Sequence, residues 1–339
     1  MSRVSQVSQA GIPFGAAGWR GVIGDDFTFG LVRAGAAAIA RAVRAKRKTP
    51  KLLVAHDTRF LSPEFARAAA GVLESEGVHA LLADRATPAP AVSFEIVRRK
   101  LGGGIYISAG QDPAEYNGLR FFDADGAPAG RQRTGEIERL AAELAAGEWD
   151  SGEAERSEFE TPELETIDPS PAYLEKLSEL VRWDGIRRAG IAVAYDAMHG
   201  AGAGWLDRLL VAADVRVHIL SEDRDVLFDG RAPDPEPANL DRLAEVVRKN
   251  GAALGLASGG DGRRFGILDG QGRFVPQGDI LGLIYDYRIE SRGWGLGAAS
   301  GVPEGDGILA CLLVVEMAGG RGGLDGQLKK LPRRAGAEF

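Results

Sequence analysis

The sequence predicts an α/β fold: two α/β domains with mixed, mostly parallel sheets, then a shorter C-terminal segment. Three observations carry this. Short apolar runs alternate with segments of helical period. An acidic stretch at 147–166 with few large apolar groups interrupts the alternation. Beyond Gly278 the alternation stops, and 291–305 is dominated by glycine and other small residues. With 339 residues, 45% hydrophobic and 26% charged, the chain is long enough for more than one core.

Taken in order, Phe29–Ala45 places Val32, Ala36, Ile39 and Val43 at helical spacing, and Lys51–Ala55 (KLLVA) reads as a strand leading to His56-Asp57-Thr58-Arg59. Pro63–Glu76 is helical, His79–Ala83 a strand, Ala89–Lys100 a helix and GGGIYIS a buried strand. An amphipathic helix at Gly135–Ala146 closes this unit. The second unit runs helix Pro171–Val181, strand Gly190–Tyr195, helix Gly204–Ala212, strand Val215–Leu220, helix Asn239–Asn250 and strand Ala253–Ala257. Phe265–Leu268 and Arg273–Val275 flank Asp269-Gly270-Gln271-Gly272, a hairpin signature. Helices follow at Asp279–Glu290 and Asp306–Ala318, and the tail from Gly319 is glycine-rich, then basic. The boundaries expected from this pattern are 1–146, an acidic linker at 147–166, 167–277, and 278–339.

Charge and composition exclude several classes. Net charge is −7 from 41 basic and 48 acidic residues, with no basic run long enough to track a nucleic-acid backbone. The single cysteine, Cys311, excludes an internal disulfide and offers no metal spacing, which fits a reducing cytoplasm. The start, MSRVSQVSQAG, lacks the apolar core of a secretion signal. The apolar run Ile308–Val315 is far short of the roughly 20 residues that cross a bilayer, so no membrane role is expected.

The stretch Gly102–Asp112, GGGIYISAGQD, delivers a loop from a buried strand to the sheet end, where α/β folds put their chemistry. A glycine, Gly110, stands at its tip. Together with FGAAGWRG at 14–21, AHDTRFLS at 55–62, ISAGQDPAEYNG at 107–118, DAMHGAG at 196–202 and LASGGDGRRFGI at 256–267, it resembles the ordered motifs of the α-D-phosphohexomutases, the phosphoglucomutase and phosphomannomutase family. The resemblance runs from about Phe14 to the end of the chain. It implies hexose phosphate isomerisation through a phosphoserine, an Mg²⁺ held by three aspartates, a sugar-reading loop and a phosphate-binding fourth domain.

Residue by residue, those implications fail. The family loop T-A-S-H-N-P is Ser108-Ala109-Gly110-Gln111-Asp112-Pro113, and Gly110 has no oxygen to accept a phosphoryl group. The lysine of Y-N-G-x-K is Arg120, which stays protonated and cannot act as a base. The metal loop D-G-D-x-D-R is Gly259-Gly260-Asp261-Gly262-Arg263-Arg264, leaving Asp261 as its only carboxylate, with Gly259 and Arg263 at the other two ligand positions, so no Mg²⁺ cofactor is expected. The sugar loop G-E-E-S-G is Gly297-Ala298-Ala299-Ser300-Gly301, and the opening GTSG is Gly15-Ala16-Ala17-Gly18. Most of a third domain is missing between about Trp294 and Gly295, leaving a remnant, and the fourth domain is expected to be absent.

A degenerate, truncated homologue without mutase activity is therefore the leading expectation, acting as an interaction or regulatory module. Two other readings stay open: an intramolecular phosphotransferase completed in trans by a partner chain, and a phosphosugar-sensing module. For the last, Arg20, Arg59, Arg120, Arg263 and Arg264 would line a basic cleft for phosphate or a sugar phosphate, unless they pair with Asp57, Asp112 and Asp261. Ser108 is too far along the strand to replace residue 110, at about 3.3 Å per residue. His199 reads as a residue in a turn after a buried strand, and His56 likewise. The helix at 306–318, with little sheet left beneath it, is expected to pack on the second domain or to serve self-association or a protein partner.

Overall fold

In the computed structural model the described residues are 14–15, 18–146, 163–292, 305–320 and 323–328. The first domain contains β1 (Trp19–Val22), α1 (Phe29–Arg44), β2 (Lys51–His56), α2 (Ser62–Ser75), β3 (His79–Ala83), α3 (Ala89–Arg98), β4 (Gly103–Ile107), β5 (Tyr116–Asp123), α4 (Arg131–Ala146) and β6 (Glu165–Ile167). Its sheet order is β1-β5-β4-β2-β3-β6. The pairs β4–β2, β2–β3 and β3–β6 are parallel, while β5 runs antiparallel to both β1 and β4.

The apolar runs of β2 and β4 are buried on both faces, which is why they read as continuous rather than alternating. Leu52, Val54, Ile105 and Ile107 face the layer of α1 and α2, and Leu53, Ala55 and Tyr106 face α3. Thr28 caps α1, its Oγ1 accepting from Leu31 N at 3.4 Å, and Val32, Ala36, Ile39 and Val43 are all buried as their spacing predicts.

Two features of this domain differ from the sequence reading. β1 and β5 form the antiparallel edge, with Arg20 opposite Gly118, although neither carries a strand-like run. The acidic linker also ends earlier than expected. Residues 147–162 lie outside the described residues, but Glu165 and Thr166 begin β6. A three-residue strand with only Ile167 buried carries too little apolar pattern to be legible.

The second domain contains α5 (Ser170–Glu179), α6 (Trp183–Ala189), β7 (Ala192–Asp196), α7 (Leu206–Ala212), β8 (Arg216–Leu220), α8 (Asp241–Asn250), β9 (Leu254–Ser258), β10 (Phe265–Leu268) and β11 (Phe274–Val275). Its order is β11-β10-β9-β7-β8, parallel from β9 to β8 and antiparallel at the hairpin. Asp269 shapes that hairpin, its Oδ1 accepting from the amides of Gln271 and Arg273, each at 2.9 Å.

The C-terminal segment adds α9 (Gln277–Arg292), α10 (Gly307–Ala318) and α11 (Gly323–Leu328), the last within the glycine-rich tail that begins at Gly319. Residues 293–304, which include the Trp294–Gly295 junction and the Gly297–Gly301 loop, lie outside the described residues. Of the two arrangements expected for α10, packing on the second domain is the one the described residues show. Every residue of α10 is buried, in one core with Tyr173, Leu177, Val193, Leu256, Ile267, Ile280 and Leu283. It lies on β9 and β10 with α6, α9 and α11 beside it, so its apolar surface is covered within the chain. Asp306 caps it by accepting from Leu309 N at 2.9 Å, and Tyr173 Oη donates to the same carboxylate at 2.9 Å. Cys311 sits in this core, and burial pushes its thiol pKa up, which leaves it unreactive.

Candidate functional site

Parallel strands deliver their following loops to one edge of the sheet, and here two such edges face each other. From the first domain β2 leads into 57–61 and β4 into 108–113; from the second, β7 leads into 197–203 and β9 into 259–264. The loops touch across the boundary. Thr58 Oγ1 donates to the His199 carbonyl at 2.7 Å, and Ala89 N donates to the Asp261 carbonyl at 2.9 Å. Arg224 donates through Nε to the Thr58 carbonyl and through Nη2 to that of Arg59, both at 2.9 Å. Gly260 packs so closely that a Cβ there would lie 2.7 Å from the Gly110 carbonyl oxygen.

Arg59 is the organising residue of the first-domain loops. It is fully buried, and its Nη1 donates to the carbonyls of Pro113 at 2.7 Å and Tyr116 at 3.0 Å, while Nη2 donates to those of Gly110 at 2.8 Å and Asp112. Its Nε faces Asp57 Oδ2 at 3.2 Å. The other Asp57 oxygen accepts from Arg59 N at 3.0 Å and Ser62 Oγ at 2.7 Å. Asn117 Nδ2 reaches Ser62 Oγ at 2.9 Å and fastens β5 to the same group. Arg59 thus wraps the 110–116 loop around a guanidinium and has no donor directed into a cleft.

At the tip, Gly110 adopts φ +63°, the left-handed region that disfavours side chains. Its amide donates to Ser108 Oγ at 2.9 Å, so the nearby hydroxyl serves the turn. A Cβ at 110 would meet Asp261 Oδ2 at 3.2 Å, Arg20 Nη2 at 3.4 Å and Arg263 Nη2 at 3.6 Å. Arg20 and Arg263 therefore converge on this point from opposite domains. Each also has an acid: Arg20 Nη1 meets Asp112 Oδ2 at 2.8 Å, and Arg263 Nε meets Asp261 Oδ2 at 2.6 Å. Arg120 is buried on β5 opposite Tyr106, its guanidinium 5.9 Å from the Phe122 ring centre.

Asp261 is buried, which by itself raises a carboxyl pKa; the Arg263 charge and hydrogen bonds, helped by the Arg120 charge, outweigh this and hold it below the ordinary value. It is ionised and already paired. Mg²⁺ demands several oxygen ligands in near-octahedral array. Gly259 brings no side chain and Arg263 brings a cation, so the donor set of this loop does not fit Mg²⁺.

The remaining sequence candidates separate from this group. Arg264 turns to Asp234 at 3.1 Å and Glu236 at 3.8 Å and belongs to the second-domain surface. Burial lowers the pKa of His56, whose Nδ1 lies 2.8 Å from the Asp57 carbonyl. His199 sits in a turn at φ +53°, its Nδ1 3.0 Å from the Asp223 carbonyl and its Nε2 3.4 Å from Asp229. Among the described residues His199, Asp225 and Asp229 bring ligand-type atoms within 4.8 Å of one another, but Arg242 holds Asp229 at 3.0 Å. Ala16 and Ala17 of the opening motif lie outside the described residues. Sequence reasoning missed Arg224 and Phe228, whose ring lies 5.1 Å from the Arg59 guanidinium carbon. Both lie in a polar loop without periodicity, and only the fold brings them to the boundary.

Comparison with known proteins places these two domains. The family models described as phosphoglucomutase/phosphomannomutase, alpha/beta/alpha domain I and domain II match residues 11–148 and 171–272. A phosphoglucomutase/phosphomannomutase of Thermococcus kodakarensis is 28% identical over 287 residues, covering 84% of this chain and 60% of its own length. A phosphopentomutase of the same organism is 28% identical over 310 residues, covering 91% and 64%. The chain thus spans about 60% of the length of these curated relatives. A solved structure from Thermus thermophilus, assigned as a phosphomannomutase, superposes with a TM-score of 0.83 at 28% identity over 95% of this chain and 83% of that one.

Proposed function

Because the chain belongs to the phosphoglucomutase/phosphomannomutase family across both of its α/β domains, we propose that it is a member without mutase activity that acts as an interaction or regulatory module. The observation that carries this reading is Gly110. A phosphoenzyme needs a side-chain oxygen at the loop tip, and here the chain has a glycine in a left-handed turn, a backbone conformation that disfavours side chains. Ser108 Oγ is engaged by the Gly110 amide, and Arg120 cannot take a proton at any working pH.

The test is chemical. The purified chain is incubated with glucose 1,6-bisphosphate and Mg²⁺, its intact mass is read for an added phosphoryl group, and glucose, mannose and pentose 1-phosphates are assayed for conversion. The expected result is an unmodified chain and no turnover above buffer. A phosphorylated chain that discharges onto a sugar phosphate would overturn the proposal.

One observation favours a second reading, a module that binds a phosphate-bearing ligand. Arg20 Nη2 and Arg263 Nη2 converge on Gly110 from the two domains, and each side chain remains 21% exposed. Calorimetry with glucose 6-phosphate should then give saturable heat that falls at least tenfold in affinity in Arg20→Ala, a loss of about 1.4 kcal/mol. Absence of heat with hexose and pentose phosphates alike removes this reading.

A further inference from the structure

The metal loop is not merely emptied of ligands; a cation stands in it. We infer that the Arg263 guanidinium replaces the divalent ion, so that the contact between the two domains at Gly110 is set by a charge built into the chain and is independent of metal. An active enzyme would refute the proposed function and leave this inference untouched, since it rests on the loop alone.

Three features of the loop support it. Asp261 is buried, and a buried carboxylate without a counter-charge is costly enough that it would be neutralised or expelled. Arg263 supplies that counter-charge from two residues away, with Nε 2.6 Å from Oδ2 and its own amide 3.2 Å from Oδ1. The guanidinium is also in the right place as well as of the right sign: its Nη2 lies 3.6 Å from where a side chain at 110 would begin, between the β9 loop and the β4 loop. A Cβ at 110 would press on Asp261 Oδ2 at 3.2 Å and touch Arg263 Nη2 at an ordinary 3.6 Å, so the two loops meet at this point.

A planar guanidinium delivers a fixed, directional charge, whereas an ion can leave or be stripped. The consequence is testable without any catalytic readout. The full chain is melted in EDTA and in millimolar Mg²⁺, and Mg²⁺ is titrated into it by calorimetry. The wild-type melting temperature should be the same in both, with no saturable heat. Arg263→Ala should melt several degrees lower in EDTA and in Mg²⁺ alike, because Asp261 then lies buried without its counter-charge and one carboxylate is too few to hold the ion. Arg263→Lys, which keeps the charge, should lose less and stay indifferent to Mg²⁺. Gly259→Asp/Arg263→Asp, which restores three carboxylates, should bind Mg²⁺ saturably. A wild-type chain stabilised by Mg²⁺ through a response that Asp261→Asn abolishes would overturn the inference, as would Arg263→Ala melting at the wild-type temperature.

Discussion

The two loops that meet at Gly110 use arginine in opposite ways. In the first domain Arg59 gives its N–H groups to neutral backbone carbonyls of 110–116, with Asp57 behind it, and thereby fixes the path of the loop. In the second domain Arg263 gives its charge to one carboxylate, Asp261, and thereby fixes the electrostatics of a turn. The difference shows that loop shape and loop chemistry are held by separate residues. The shape-giving group is intact, while the residues at the tip that would perform chemistry are glycine and arginine.

Removing Arg59 tests this contrast most severely. Arg59→Ala leaves the carbonyls of Gly110, Asp112, Pro113 and Tyr116 without the guanidinium donors and the buried Asp57 carboxylate without its counter-charge at Oδ2. Stripping one partner from a buried ion pair costs about 3 to 5 kcal/mol, and urea unfolding should read a loss in that range. A loss below about 1 kcal/mol, the range of an exposed pair, would show that the loop path is held by something other than the guanidinium.

Much of this arrangement was legible in the sequence, for identifiable reasons. Strands β2, β4, β7 and β9 are buried on both faces and so appear as unbroken apolar runs, and the Asp269–Gly272 turn announces its hairpin. The pairing of Arg20 with Asp112 and Arg263 with Asp261 was one of two outcomes the residue types allowed. What the sequence could not show depends on contacts between distant residues. Arg59 belongs with the arginines of a cleft until the fold closes the 110–116 loop around it. Arg264 looks equivalent to Arg263 until Asp234, thirty positions away, takes it. The apolar helix α10 looks unpartnered until Tyr173, 133 positions earlier, bonds its cap and the second-domain sheet covers its face.

A smaller effect comes from rebuilding the tip. Gly110→Ser restores the missing oxygen but forces a side chain into a left-handed conformation, which costs about 1 to 2 kcal/mol for an L-residue. The new Cβ would sit 3.2 Å from Asp261 Oδ2 and 3.4 Å from Arg20 Nη2, adding crowding to that cost. The variant should therefore be less stable in urea and should not acquire a phosphoryl group from glucose 1,6-bisphosphate, because Arg263 still occupies the cation position. A stable Gly110→Ser chain that becomes phosphorylated would mean that the second-domain loop never blocked the chemistry.

The smallest effect separates the two loops by pH. At the first-domain loop, burial lowers the His56 pKa, and the Arg224 charge adds to this, against the opposing pull of the Asp57 carbonyl and of the Asp57 and Glu64 charges. His56 is thus held neutral in the fold while the unfolded chain takes up a proton near 6.5, so its share of stability is present above that value and is lost as pH falls below it. At the second-domain loop Asp261 has a lowered pKa; its share is present above the ordinary 3.8 and is lost only as pH falls below that. Acidification should therefore weaken the first-domain loop well before the second. Melting wild type and His56→Gln side by side between neutrality and about pH 5 reads the difference, since glutamine has no proton to gain. The gap between them should move in favour of His56→Gln as pH falls. A gap that stays constant over this window would show that His56 gains no proton on unfolding there, and with it remove the claim that the first-domain loop is the more acid-sensitive of the two.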